Sequence, residues 1–178
     1  MGIPIFLVEH LDKFRSEIEY LLMNDFSALN EIERQEKIAE ARQKGAWGAA
    51  LVAPQPIPFA DIWLITPVQI LMVRAIGNIH GYELSEDTVK ELLGVIGGGW
   101  LGQQVCLALF KIGMPGAGGL GGAAFVFFWT YAMGKAAEVY FASGMTASKE
   151  DLKKARQEGM KEAQNAYKNK ENSPVMEN

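Results

Sequence analysis

The sequence predicts an all-α protein, a helical bundle carrying a glycine-rich apolar helical hairpin, and three observations predict it. Apolar positions recur at three- and four-residue intervals, and no stretch shows the period-two alternation of a half-buried strand. Residues 92–134 hold one charged side chain, Lys111, and twelve of the chain's nineteen glycines. At 178 residues the chain is long enough for one domain with a real core. Charge is unevenly placed, with nine acidic and six basic residues in 1–48, six and four in 49–145, and six and seven in 146–178. We therefore divide it into an amphipathic helical region over 1–45, an apolar helical core over 46–145, and a charged helix and tail over 146–178. A net charge of −4 gives no support for nucleic-acid binding. The one cysteine excludes an intramolecular disulfide and a multi-cysteine zinc site.

Leu7, Leu11, Phe14, Ile18 and Leu21 form one seam along a first helix, with charges on its other faces. Asn24 to Ser27 are expected to break it. Glu31 to Lys44 reads as a charge-rich, solvated helix, and polarity drops at Ala46 to Ala53. Pro54, Pro56 and Pro58 impose a non-helical entry, after which Asp61 is placed to cap an apolar helix over 62–76. Gly77 to Tyr82 closes that helix, and Ser85, followed by Glu86 and Asp87, caps the next, which is expected to run straight into the glycine stripe. Gly144 ends the apolar region, and Thr146 or Ser148 begins a last, solvated helix.

The expected hairpin pairs 92–110 with 117–134 across a turn at Gly113, Met114, Pro115 and Gly116. Gly94, Gly98, Gly102 and Cys106 recur every four residues and form a stripe of small side chains. Gly118 and Gly122 start a second stripe that, past Val126, continues through Thr130 and Gly134. Glycine costs a helix interior about 1 kcal/mol relative to alanine, so its repetition calls for a compensating close contact. Helix packing in or beside lipid supplies one; tight packing inside a bundle is the competing reading.

Asp61, Gln69, Arg74 and Lys111 stand in the least polar company and are candidates for a buried polar network, since a buried polar group must find partners. Lys111 could alternatively snorkel to a headgroup. Trp63, Trp100, Trp129 and Tyr131 fit either a bilayer interface or an ordinary core. No cofactor, metal or catalytic set is expected. His10 and His80 are the two histidines and read as surface or turn residues. Gly116, Gly118 and Gly121 match a dinucleotide-binding pattern but lack the strand that must precede it.

The ordered series Pro56-Ile57-Pro58-Phe59-Ala60-Asp61, Gln69, His80-Gly81-Tyr82-Glu83-Leu84-Ser85 resembles the pattern of the bacterial domain of unknown function 697. Gly97 to Gly102, Ile112 to Gly116, Thr130 to Lys135, Tyr140-Phe141 and Ser143-Gly144 extend the likeness over roughly 40–165. His80 stands where that pattern has tyrosine. The resemblance implies association with GTPases and membranes. This chain has no G-x-x-x-x-G-K-[ST] segment, so an associated GTPase would be a separate chain. The resulting expectation is a membrane-associated, non-enzymatic helical interaction module on the cytoplasmic side. Its expected partners are membrane lipid and a separate GTPase, with self-association into an oligomer also in view. Two alternatives stay open: an oligomeric pore or membrane-remodelling protein, and a soluble helical domain that binds an apolar ligand. The short apolar run Ile3 to Val8 meets Glu9 and His10, which does not resemble a secretory signal.

Overall fold

The computed structural model describes residues 5–52, 60–97 and 120–171, and those residues are all helix and connecting turns. In chain order they form α1 (Ile5–Met23), α2 (Glu31–Val52), α3 (Ala60–Ile79), α4 (Glu86–Ile96), α5 (Leu120–Ala142) and α6 (Lys149–Glu171). The expected helical bundle is thus present. Most of the expected hairpin, from residue 98 to the turn at Gly113 to Gly116 and on to 119, lies outside the described residues.

Helix ends follow local chemistry. Asn30 and Glu33 form a reciprocal cap on α2, each backbone N–H donating to the other's side-chain oxygen at 3.0 Å. The Ser85 hydroxyl accepts from the Thr88 N–H at 3.1 Å and starts α4. Ser148 does the same for α6, accepting from the Asp151 N–H at 3.1 Å while Asp151 accepts from the Ser148 N–H at 3.2 Å. Ser85 is the cap expected from the sequence, and of Thr146 and Ser148, the two residues offered for the last helix, Ser148 is the cap. The C-termini of α3 and α5 share a second device. Gly81 (φ 86°) and Gly144 (φ 68°) enter the left-handed region, and paired bonds close each end: Tyr82 N–H to Gly77 O with Gly81 N–H to Asn78 O, and Met145 N–H to Tyr140 O with Gly144 N–H to Phe141 O.

Four boundaries differ from the sequence reading. Helix α3 begins at Ala60, which puts Asp61 inside its first turn and not at the N-cap expected of it. The charged helix does not stop near Lys44 but runs unbroken to Val52, because Ala41, Gly45, Ala46, Gly48 and Ala49 form a small buried face. The apolar helix α3 continues past Ile76 to Ile79, and Gly77 lies inside it with Leu84 and Phe141 packed against it. Helix α4 takes in Gly94, the first residue of the stripe, and ends at Ile96, where the Gly97 N–H bonds to Leu93 O at 2.9 Å; the rest of the stripe lies outside the described residues.

Helix α5 is the centre. It packs against α6, α2, α3 and α4. Between Phe125 and Phe141 its buried residues fall on every side of the helix, including Phe127, Ala132, Ala136 and Ala137 at 0% exposure. A helix that is apolar all round needs an apolar environment all round, and here its own chain provides it. On one flank Phe14, Ile18 and Leu21 of α1 join the main core. On the other, Trp47, Phe127 and Tyr167 cluster, with the Phe127 and Tyr167 ring centroids 4.4 Å and 5.3 Å from Trp47 and the Tyr167 ring stacked on it.

Candidate functional site

Two polar arrangements stand out: an ion cluster in the interior and a cleft at one end of the bundle. The ion cluster joins α2, α5 and α6. Arg42 is 6% exposed and Glu138 7%, and the Arg42 Nη1 donates to Glu138 Oε2. Glu162 lies 3.6 Å from Arg42 Nη2, and Lys135 lies 3.4 Å from Glu138 and 3.7 Å from Glu162. Two cations therefore face two carboxylates, which offsets the large cost of burying either charge alone. The guanidinium also lies over the Tyr131 ring at 4.9 Å. Gly134 makes room for it, because a Cβ there would overlap Arg42 Cγ.

The cleft, about 940 Å³, lies between the α1–α2 and α3–α4 connections. Arg34, Arg74, Asn78 and His80 line it with Asn24, Asp25 and Glu83. Its two arginines and Asn78 are pinned to backbone carbonyls. Arg34 donates to Ile79 O (2.6 Å) and Leu29 O (3.3 Å), Arg74 Nε to Leu84 O (3.2 Å), and Asn78 to Leu21 O (3.0 Å) and Asn24 O (2.9 Å). These bonds tie the two connections together and satisfy carbonyls at the ends of α1 and α3. Burial lowers the His80 pKa from its usual 6.5, and the positive charge of Arg34 lowers it further. The Asp25 pKa is lowered by the Ser27 N–H and then the Ser27 hydroxyl, both of which donate to its carboxylate.

The residues singled out from sequence fall into separate places. Gln69 and Thr130, flagged for different reasons, meet: the Gln69 amide donates to the Thr130 hydroxyl at 3.2 Å, both buried. Arg74 joins the cleft instead of that pair. Gly134 is a close-packing glycine, although its neighbours are the Arg42 and Met72 side chains. Gly94 is exposed, and among the described residues nothing lies within 4 Å of where its Cβ would stand. Its helix turns that face away from the described core. Asp61 lies in the first turn of α3 and Gly122 in that of α5, and the Asp61 side chain is outside the described set. Gly98, Gly102, Cys106, Lys111 and Gly118 lie outside the described residues. Trp129 and Tyr131 are core residues, each 8% exposed. Among the described residues no group of three or more His, Cys, Asp or Glu could hold a metal ion.

Sequence reasoning missed the ion cluster, because Arg42 and Glu138 are 96 residues apart. It also missed Gly45, Gly48 and Gly159, which make the close contacts sought in the stripes. A Cβ on Gly159 would meet the Ala132 Cα at 2.8 Å, so α5 and α6 approach to backbone contact there.

The residues that carried the family likeness, His80 to Ser85, form one wall of the cleft. Residues 22–165 match the domain of unknown function DUF697. The chain belongs to this family. The DUF697 match begins well before the proline-rich entry, so α2 and the turn that precedes it are part of the family domain. No curated protein and no solved structure matches the chain.

Proposed function

We propose that this DUF697 protein is a non-enzymatic helical interaction module that works with a separate GTPase at the cytoplasmic face of a membrane, touching lipid from the surface. Family membership motivates the GTPase partner. The observation that carries the peripheral form of the reading is the enclosure of α5. Its mid-section is surrounded by α2, α3, α4 and α6, so exposing it to lipid would forfeit that packing. Among the described residues no helix is long and apolar enough to cross a membrane. The same enclosure weighs against a pore built from α5, because Thr130 and Gly134 of its stripe are already engaged within one chain.

The test combines extraction with capture. Carbonate washing of membranes should release the protein, and the full chain should retain a purified candidate GTPase more strongly in one nucleotide state than in the other. Retention in the carbonate pellet would overturn the peripheral form. Equal or absent retention of every candidate in both nucleotide states would overturn the GTPase partnership.

A further inference from the structure

The cleft between the α1–α2 and α3–α4 connections has features of a prepared ligand site. Its volume, about 940 Å³, lies within the roughly 300–1,000 Å³ typical of small-molecule sites. Its cations are oriented before any ligand arrives. Arg34 is anchored to Ile79 O and Leu29 O, and Arg74 to Leu84 O through Nε alone. A guanidinium carries five N–H donors in a planar fork, so each arginine keeps donors beyond those spent on carbonyls. Among the described residues, no hydrogen bond or ion pair engages the terminal nitrogens of Arg74, which is half-buried in the wall. Orienting a cation in advance reduces the ordering cost of binding.

The acids of the cleft are placed differently. Both Asp25 oxygens already accept from Ser27, at 2.8 Å and 3.0 Å. Glu83 is exposed, while Glu31, 3.9 Å from Arg34 Nε, is three-quarters exposed on the outer face of α2. The basic groups are thus held in the wall and the carboxylates are either engaged or solvated. We propose that this cleft binds a small molecule bearing an oxyanion, a phosphate monoester or a carboxylate, held by the fork of Arg74 with Arg34 beside it. Glu83 opposes the ligand's charge and weakens the site.

The proposal is tested on the full chain by following its NMR spectrum during titration with phenyl phosphate, benzoate and benzyl alcohol at constant ionic strength. Phenyl phosphate or benzoate should shift the His80 ring and Arg74 Nε signals saturably, while benzyl alcohol should not. Saturation by phenyl phosphate alone assigns a phosphate ester, and by benzoate alone a carboxylate. Arg74→Gln should weaken binding at least tenfold, and Arg74→Lys, which keeps the charge and loses the fork, should fall between. Glu83→Gln should tighten binding two- to threefold. It alters an exposed side chain, so it remains informative if the Arg74 variants fail to fold. Equal response to benzyl alcohol, no saturable response to either anion, undiminished binding by folded Arg74→Gln, or unchanged binding by Glu83→Gln would each overturn the proposal.

Discussion

Replacing Glu138 with glutamine isolates the cost of the interior ion cluster. The substitution keeps the shape of the side chain and removes the charge that faces Arg42, itself 6% exposed. Breaking a buried ion pair from one side typically costs about 3–5 kcal/mol, because the remaining charge loses its compensation. Two features moderate that figure here. Glu162, 3.6 Å from Arg42 and 42% exposed along its side chain, still faces the guanidinium, and the Tyr131 ring remains beneath it. We therefore expect the lower end, about 3 kcal/mol. Urea unfolding reads this as a fall in midpoint at constant slope. The paired change Arg42→Met with Glu138→Leu removes both desolvation costs and should return stability to within about 1 kcal/mol of the parent. A loss below about 1 kcal/mol for Glu138→Gln, or a double variant no more stable than the single one, would refute the reasoning.

Two further outcomes follow from the same packing. Gly159→Ala drives a methyl group into the Ala132 backbone and should destabilise by about 1–3 kcal/mol, whereas Gly94→Ala, in open space within α4, should stabilise by about 0.5–1 kcal/mol; thermal unfolding of both variants checks the contrast. His80 resists protonation in the fold, so the unfolded chain binds more protons near its ordinary pKa of 6.5. Stability should therefore be intact above pH 6.5 and decline as the pH falls below it. His80→Gln should flatten that segment of the stability profile measured by urea titration.

The legible parts of this fold were those set within a few residues. The α1 seam placed Phe14, Ile18 and Leu21 correctly in the core, and Ser85 and Ser148 capped the helices expected of them. The Asn30–Glu33 cap carried an equally local signal that went unread. What stayed hidden depends on chain reversal. Arg42 looked like one more charge on a solvated helix until α5 and α6 supplied Glu138 and Glu162. Glycine spacing was an uneven guide: it marked Gly134, which packs tightly against Arg42, and Gly94, which touches nothing described, while Gly45, Gly48 and Gly159, outside any stripe, also sit where side chains or backbone come close. Periodicity reports which residues share a face, whereas the neighbour on that face is chosen by tertiary packing. The cleft was only half visible, because Arg74 and the His80 to Ser85 turn were noted but Arg34 and Asn24 join them from another connection.

Labelling from within the lipid most directly tests whether α5 is enclosed by its own chain. A carbene precursor dissolved in the bilayer would be photolysed with the membrane-bound protein, and modified residues mapped by mass spectrometry. The enclosure predicts no modification of Phe127, Thr130, Ala132 or Ala136. Label on those residues at the level of a known membrane-spanning helix in the same vesicles would contradict it.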